Sequence, residues 1–313
     1  MTKLNQSIIG KDYVIVIGGI NIDIIGFPNS NLTLNDSNPG KIKMSLGGVG
    51  RNIAENIVRL GVPTKLISAI GNDDYGKLVI DSSKKLGIDI NDTFVLDGES
   101  TSIYLAVLNE HGDMNVAISD MGIIDKITID FIKSKNEIIK NSKACVLDTN
   151  IPRDVFEYIL NTNTDVDFFL DTVSTKKAIK VKDLLGYFHT IKPNKIEAEV
   201  LSGISINNEE DLKKCSDYFL SLGVKRVFIS LGADGLYYND GVNNKYLKAH
   251  KINVVNATGA GDAFIGALVY CYYNNFDIDY SARFAMAASV LALKHEDTIN
   301  PNMSSENVKG IIQ

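Results

Sequence analysis

The sequence predicts an α/β fold: a central, mostly parallel sheet flanked by helices, with a small antiparallel β lid. Short runs of β-branched and aromatic residues alternate with segments that carry apolar residues at helical spacing, the pattern of consecutive βαβ units. Two regions, about 22–46 and 93–119, instead show short alternating stretches separated by turn residues. The 313 residues, of which 45% are hydrophobic, are enough to bury a sizeable core, and we expect a single domain over 1–313.

The first elements set the pattern of the core. YVIVIGG (13–19) is typical of a buried strand, and Ile53, Ile57 and Leu60 are spaced as on one helix face, with Gly61 ending that helix. Later runs predict further core strands, each with a loop at its carboxyl end: 64–71, 143–149, 166–173, 188–194 and 225–232. Helices are predicted between them, for example over 152–161, 194–202 and 208–222.

The two irregular regions predict an accessory sheet. TSIYLAVLN (101–109) and MNVAIS (114–119) alternate in polarity and are joined by turn residues. Strands from distant parts of the chain would form one flap over the carboxyl ends of the parallel strands, where open α/β sheets bind ligands. The alternative is an ordinary extension of the main sheet.

Composition and charge argue against several classes of protein. The net charge is −6 and the basic clusters are short, which argues against a nucleic-acid-binding protein. Three widely spaced cysteines and four histidines predict neither a disulfide framework nor a zinc site. No run reaches the ~18 uncharged apolar residues of a membrane span, and the polar start lacks the features of a signal peptide. We therefore expect a cytoplasmic protein with no membrane or nucleic-acid partner.

NATGAGDAF (256–264) places small residues directly before a carboxylate. A helix that begins near Ala260 would leave its first N–H groups without internal partners, and Gly259 and Gly261 would let an anion reach them. A carboxylate at Asp262 beside such an anion hole suits a base that removes a hydroxyl proton while the hole holds the transferred group. In the alternative interpretation, Asp262 only stabilises the start of the helix.

GGVGRN (47–52) opens a predicted helix after a predicted strand. The chain has no GxxxxGK[ST] motif, so a nucleotide site of the Walker type is excluded. The dinucleotide fingerprint is weak, because its third glycine and the acidic residue at the expected spacing are missing. A tight turn that presents backbone N–H groups and the Asn52 amide to a ligand hydroxyl explains the segment better, and the alternative is a turn that binds nothing.

Four segments together resemble the ribokinase-like (PfkB) family of carbohydrate and nucleoside kinases. They are GGVGRNIAEN (47–56), KPNKIEAEVLSG (192–203), SLGADGLYY (230–238) and NATGAGDAF (256–264). The resemblance covers the chain from about residue 13 to 300. It implies the ribokinase-like fold and an ATP-dependent transfer of phosphate to a hydroxyl group. Further segments resemble members that act on a nucleoside: DSNPGKIK (36–43), GGVGRN, SDM (119–121), LDTNI (147–151) and NATGAGD.

The resemblance implies roles at the phosphate end of the site. The catalytic residues would be Asp262 as the base and, as its anion hole, Gly259, Ala260 and Gly261. Asn194 and Glu197 would help to place the Mg²⁺-bound phosphates of ATP, with Glu197 reaching the metal through water. One helix face allows both side chains to point at one spot, and the alternative is a capping asparagine and a surface glutamate. The nucleotide contacts would be Ser230, Gly232 and Gly235.

At the acceptor end, the resemblance implies contacts with sugar hydroxyls. These residues would be Asn21, Asp23, Gly47, Gly48 and Asn52. An acceptor at Asp23, with donors at Asn52 and the glycine amides, is what a diol needs. Asn150 stands where ribokinases carry a sugar-contacting glutamate, a departure that leaves its role open. Arg51 and Asp120 are candidates either for reading the base or for structural salt bridges.

The resemblance further implies ATP and Mg²⁺ as cofactors, a small nucleoside as substrate and a homodimer formed through the lid. Asn256 stands where many relatives have an aspartate near a monovalent-cation site, so a requirement for potassium is left open. The alternatives are a sibling kinase for ribose, a fructose derivative or another nucleoside, and a catalytically silent sugar-binding regulator. The intact Asp262, glycine loop and N-x-x-E pair argue against the regulator.

Overall fold

The computed structural model describes residues 11–249 and 252–312. In chain order its strands are β1 (Val14–Ile17), β2 (Asn21–Pro28), β3 (Gly40–Gly47), β4 (Thr64–Ile67), β5 (Ala69–Gly71), β6 (Phe94–Leu96), β7 (Ile103–Leu108), β8 (Met114–Asp120), β9 (Ala144–Asp148), β10 (Phe168–Asp171), β11 (Phe188–Ile191), β12 (Arg226–Ser230), β13 (Gly235–Asn239) and β14 (Asn244–Lys248).

The α-helices lie between these strands, except for the last three, which follow β14. They are α1 (Val49–Arg59), α2 (Asp74–Leu86), α3 (Ile129–Lys133), α4 (Asn136–Lys140), α5 (Arg153–Thr162), α6 (Thr175–Ala178), α7 (Lys195–Ser202), α8 (Glu209–Ser221), α9 (Ala260–Tyr273), α10 (Ile278–Leu293) and α11 (Ser305–Lys309). Within the described residues, none of them is long and apolar enough to cross a membrane.

The main sheet has eight strands in the order β14-β13-β12-β11-β10-β9-β1-β4. The strands from β12 to β4 run parallel, while β13 and β14 are antiparallel additions at one edge. Both faces are buried: Val14 and Val16 of β1 pack in one apolar core with residues of α1, α9 and α10, and Ile15 and Ile17 pack in a second core with residues of α5, α7 and α8. Helices on both sides of the sheet therefore explain why β1 does not alternate between polar and apolar residues.

The predicted fold class is confirmed, with two differences in detail. The run 64–71 forms two strands rather than one, because β4 joins the main sheet and β5 pairs with β6 in a separate ribbon. In the small sheet, β2 and β7 run parallel, although the pairs β2–β3 and β7–β8 are antiparallel.

The small sheet has the order β3-β2-β7-β8, and we call it the lid. Because side chains alternate along a strand, the register assigns each residue to one face. One face carries the paired residues Asp23, Tyr104 and Ser119, and the other carries Ile24, Leu105 and Ile118. An ion pair of 2.5 Å between Lys43 of β3 and Asp297 ties the lid to the loop after α10.

The parallel strands end along one edge of the main sheet. Residues at or just after these carboxyl ends are Gly18 and Gly19 after β1, Asp148 on β9, Asp171 on β10, Lys192 after β11 and Ser230 on β12. In open α/β sheets, this edge is where ligands bind.

Candidate active site

The loop before α9 presents Asp262 to this edge. Gly259 caps the helix in the left-handed conformation (φ 81°), and a side chain there would collide with Thr298. Ala260 and Gly261 then open the helix, so their N–H groups have no intrahelical partner and, with the helix dipole, favour an anion. Asp262 lies in the first turn and is half-buried, at the point where the buried apolar part of α9 begins.

The two glycine motifs of the sequence meet at Asp262. Asn52, in the first turn of α1, donates from Nδ2 to Oδ2 of Asp262 at 2.9 Å. Helices α1 and α9 pack against each other, which holds the two side chains at this distance. The amide fixes the orientation of the carboxylate, and the residues predicted for the sugar and for the chemistry are thereby in direct contact.

The surroundings of Asp262 favour its protonated form. Burial raises the pKa of the Asp262 carboxyl, and the neighbouring Asp171 carboxylate raises it further. The hydrogen bond from Asn52 and the charge of Lys192 act in the opposite direction, and Asp148 adds a smaller upward contribution. A carboxylate destabilised in this way is a stronger base than an exposed aspartate.

Asp148 and Asp171 were not identified from the sequence. They are paired in register on β9 and β10, and both are buried. Asp148 accepts hydrogen bonds from the backbone N–H groups of Gly19 and Asn150, each at 2.8 Å, and burial raises its pKa to about 6. Both acids occupy the last position of a buried strand. The segments LDT (147–149) and LDT (170–172), in which an acid ends an apolar run, could have identified them from the sequence.

Lys192 is a second residue that the sequence did not single out. It follows β11 and is buried, and a Cβ placed on Gly261 would lie 3.2 Å from its Nζ. The ammonium group is therefore beside the predicted anion hole. The available signal was a lysine at the carboxyl end of a core strand, immediately before Pro193.

The residues predicted to contact the acceptor lie at the end of β3 and the start of β2; we call this part of the site the acceptor side. Asn21 donates from Nδ2 to Oδ1 of Asp23 at 2.6 Å, and Asn21 pairs with Gly47. A side chain on Gly47 would overlap the Asp23 carboxylate, and Gly48 takes a left-handed φ of 97° as α1 begins. Burial raises the pKa of Asp23, whereas the hydrogen bond from Asn21 and the charge of Arg51 oppose that rise. The structure brings all of these predicted sugar contacts together.

The two candidate base-reading residues lie elsewhere. Arg51 is only 4% exposed and forms an ion pair of 2.5 Å with Glu55. Asp120 is exposed and follows Ser119, so alternation places its side chain on the lid face opposite Asp23. Among the described residues, neither side chain forms a hydrogen bond or an ion pair with Asp23.

Asn150 is held between the main sheet and α6. Its backbone N–H donates to Asp148, and its Oδ1 accepts a hydrogen bond from Nζ of Lys177. Its amide also lies against Gly19, because a Cβ on that residue would be 3.2 Å from Nδ2. A polar amide and an ammonium group therefore flank the loop that leads into β2.

On the donor side, Asn194 and Glu197 form a capping box at the start of α7. The side chain of each residue accepts from the backbone N–H of the other at 2.9 Å, and Thr172 donates from Oγ1 to Oε2 of Glu197 at 2.7 Å. Glu197 is buried, whereas Asn194 is exposed. Within 11–249 and 252–312, no group of three or more His, Cys, Asp or Glu side chains could hold a metal ion.

A cavity of about 690 Å³ lies beside the anion hole. It extends from Lys192 and Gly261 to Ser230, and its wall is formed by small and apolar residues. The predicted nucleotide contacts Ser230, Gly232 and Gly235 all line it, as do Ala233, Ala249, Phe264, Met286 and Val290. At the rim, Asn256 bridges two loops: Nδ2 donates to the carbonyl of Glu296, and Oδ1 accepts from the N–H of Thr258, each at 2.9 Å.

Comparison with known proteins identifies the family. The family model described as pfkB family carbohydrate kinase matches residues 11–305. The chain belongs to this family. It is also 41% identical over 304 residues to the pseudouridine kinase of Escherichia coli (strain K12), and the match covers 97% of each chain.

Solved structures of this family share the fold. A crystal structure from Clostridium perfringens, described as a candidate sugar kinase, has a TM-score of 0.90 and 46% identity and covers 96% of this chain and 95% of that chain. The ribokinase of Arabidopsis thaliana, complexed with ribose and ATP, has a TM-score of 0.84 at 22% identity and covers 96% and 99% of the two chains. This pfkB family member is therefore a phosphotransferase with the ribokinase-like α/β fold.

Proposed function

We propose that this kinase transfers the γ-phosphate of ATP to the 5′-hydroxyl of pseudouridine. The observation that carries the chemistry is the position of Asp262. This carboxylate is held by Asn52 of the acceptor side and lies at the helix end beside the donor cavity. The nucleoside is supported by the 41% identity, over nearly the whole chain, to the E. coli pseudouridine kinase.

In this mechanism, Asp262 accepts the proton of the 5′-hydroxyl as that oxygen attacks the γ-phosphorus. The bond from phosphorus to the β-phosphate oxygen breaks and ADP leaves. The N–H groups of Ala260 and Gly261, together with the ammonium of Lys192, would stabilise the charge on the transferred group. The elevated pKa of Asp262 makes it a better proton acceptor once it is ionised.

The residues present fit ATP and Mg²⁺. The cavity joins the anion hole to a wall of small and apolar residues, which suits a nucleotide whose phosphates point towards α9. Mg²⁺ is usually held by one or two carboxylates, water and substrate phosphates. Glu197, Asp171 and Asp148 are buried carboxylates at this edge, in keeping with such a site. When bound, the ion would screen the phosphate charge.

Selectivity for pseudouridine requires a group that recognises the ring N–H that uridine lacks. We propose the Asn150 amide oxygen, which accepts from Lys177, as that acceptor; Asp120 stays the alternative from the sequence. The Asn150 side chain is half-buried, and a site whose polar group is placed to accept from a substrate N–H can discriminate against an analogue that lacks this N–H by several kcal/mol, roughly 10⁴-fold in favourable cases.

The test is an ADP-release assay with pseudouridine, uridine, adenosine, ribose and fructose 6-phosphate at matched concentrations. We expect pseudouridine to give the highest kcat/KM, and activity to disappear in excess EDTA and return with Mg²⁺. Faster turnover of ribose or uridine would refute the named activity while leaving the family assignment intact. Binding of sugars without ADP release from any acceptor would point to a regulator.

We also propose that two copies pair through the lid. The lid face opposite Asp23 exposes apolar side chains on neighbouring strands: Ile42, Met44, Leu105, Val116 and Ile118. Patches of this kind mark interaction sites. Light scattering should give a dimer mass for the parent and a monomer mass for Ile118→Lys. Val242→Lys, at an exposed apolar residue in the turn between β13 and β14, should stay dimeric.

A further inference from the structure

Thr172 connects the end of β10 to the start of α7 through a hydrogen bond. Its Oγ1 donates to Oε2 of Glu197 at 2.7 Å, and both residues are buried. The same carboxylate oxygen accepts from the backbone N–H of Asn194 at 2.9 Å. In the described part of the chain, no hydrogen bond reaches the other oxygen, Oε1. The protein therefore holds Glu197 through one oxygen of its carboxylate.

The bond from Thr172 is additional to the capping box. A capping box requires only that the Glu197 side chain accept from the backbone N–H of Asn194. The Thr172 hydroxyl comes from a different element, 25 positions away in the sequence. A second donor on the same oxygen restricts the rotation of the carboxylate, which the backbone bond alone would leave open. The Thr172 hydroxyl therefore determines how the Glu197 carboxylate is oriented.

The loop that carries Thr172 is itself held by its contacts. The carbonyl of Thr172 accepts from Oγ1 of Thr149 at 2.7 Å, and Oδ1 of Asp171 accepts from the N–H of Val173 at 2.7 Å. Val173 takes a left-handed φ of 57°, which is unfavourable for a β-branched residue. Such a conformation persists only where the surroundings impose it. The Thr172 hydroxyl is thus fixed together with the loop.

We infer that Thr172 is a positioning residue for the Mg²⁺-bound phosphates of ATP, because its hydroxyl orients the Glu197 carboxylate. This inference rests on the proposed role of Glu197, which reaches the ion through water. Removing a partner that orients a carboxylate of a metal site usually lowers metal affinity by about 10- to 100-fold. Because water lies between Glu197 and the ion, we expect the lower end of this range, about tenfold.

Binding of a non-hydrolysable ATP analogue, measured by calorimetry with Mg²⁺ and with EDTA, tests the inference without turnover. The Kd in EDTA divided by the Kd with Mg²⁺ gives the contribution of the ion. Thr172→Val removes the hydroxyl and keeps the branched shape, so it should lower this ratio by about tenfold and leave the Kd in EDTA unchanged. In steady-state assays, half-maximal activity should require more Mg²⁺, while the KM for pseudouridine stays at the parent value.

Two variants separate positioning from simple packing. Thr172→Ser keeps the hydroxyl and should stay within a few-fold of the parent ratio. Thr149→Val is the matched control, because it removes a bond of the same length from the same buried loop, and that bond does not reach Glu197. An equal loss in Thr149→Val, or an unchanged ratio in Thr172→Val, overturns the inference. If Thr172→Val does not fold, Thr172→Ala takes its place.

Glu197→Gln distinguishes failure of the inference from failure of the proposed metal site. It should lower the ratio by itself, and Thr172→Val should then lower it no further, because both changes act through one carboxylate. A lowered ratio in Glu197→Gln with a parent ratio in Thr172→Val refutes the inference alone. A parent ratio in Glu197→Gln removes Glu197 from the metal site and the inference with it. Equal binding of the analogue to the parent with Mg²⁺ and with EDTA would refute the role of the ion and the inference together.

Discussion

The acceptor side and the donor side of the site are built differently. On the acceptor side, short hydrogen bonds fix polar groups in advance: Asn21 holds Asp23, and Asn52 holds Asp262. On the donor side, the cavity is lined mainly by small and apolar residues, and its polar part is the open end of α9 with Lys192 beside it. One side can recognise a pattern of hydroxyls, whereas the other offers shape and an anion site.

This difference indicates where selectivity and rate arise. A fixed polar network penalises a substrate that leaves its groups unpaired, so the acceptor side should control which alcohol is used. Helix N–H groups and an ammonium act on whatever phosphate lies in front of them, so the donor side should control transfer. Asp262 belongs to both sides, because it is bonded to Asn52 of the acceptor side and lies at the open end of α9 on the donor side.

The largest expected effect on activity follows from replacing Asp262, the residue that both sides share. Asp262→Asn should keep nucleoside binding and lower kcat by about 10²–10⁴, because the amide can still bond Asn52 but cannot accept the proton. Steady-state turnover and equilibrium binding of the purified variant check both parts. Asp74→Asn, the same change in the exposed first turn of α2, should behave as the parent. Turnover near the parent rate would remove Asp262 from the mechanism.

A change restricted to the donor side comes next. Lys192→Met should lower kcat by about 10² and raise the KM for ATP, since a charged donor beside the anion hole is lost. The Kd for pseudouridine should not change. Lys195→Met, three positions further on and exposed, is the matched control. If the variant bound pseudouridine poorly and ATP normally, the division into two sides would be wrong.

The converse change lies on the acceptor side. Asp23→Asn should raise the KM for pseudouridine by about 10- to 100-fold, the cost of losing a charged hydrogen-bond acceptor. The KM for ATP should stay at the parent value in the same kinetic series. Asp113→Asn, in the exposed turn between β7 and β8, controls for a general effect on the lid. An unchanged KM for the nucleoside would exclude Asp23 from binding it.

The smallest effect concerns pH. The base acts when deprotonated, so kcat/KM should fall as the pH drops through the raised pKa of Asp262. Asp171 contributes to that rise, so Asp171→Asn should move the acidic limb to lower pH by up to about one unit. A pH profile of kcat/KM measures the shift. A limb that stayed in place or moved to higher pH would contradict the assigned electrostatics.

The sequence was sufficient for the fold and for the helix end at Asp262. Strand runs without polar alternation predicted a sheet covered on both faces, and small residues before an acid predicted a helix end beside Asp262. These features are local, because propensity and spacing determine them. The contact between Asn52 and Asp262, 210 positions apart, could only be inferred from the resemblance.

Other features depend on how strands are paired. Asp148 and Asp171 influence Asp262 because β9 and β10 are neighbours in the sheet. The sequence of neither strand determines which strands become neighbours. The face on which Asp120 lies depends on register, and a shift of one residue moves every side chain to the opposite face. The burial of Arg51 likewise results from the packing of α1 against the turn, which no spacing rule describes.

The central claim is that the acceptor is pseudouridine, and a competition assay tests it most directly. The purified kinase is given equal concentrations of pseudouridine and uridine with limiting ATP and Mg²⁺, and the two nucleoside monophosphates are separated and quantified by chromatography. Their initial ratio equals the ratio of the two kcat/KM values. We expect pseudouridine 5′-phosphate to predominate by about 10² or more. An equal mixture, or an excess of uridine monophosphate, would contradict the claim.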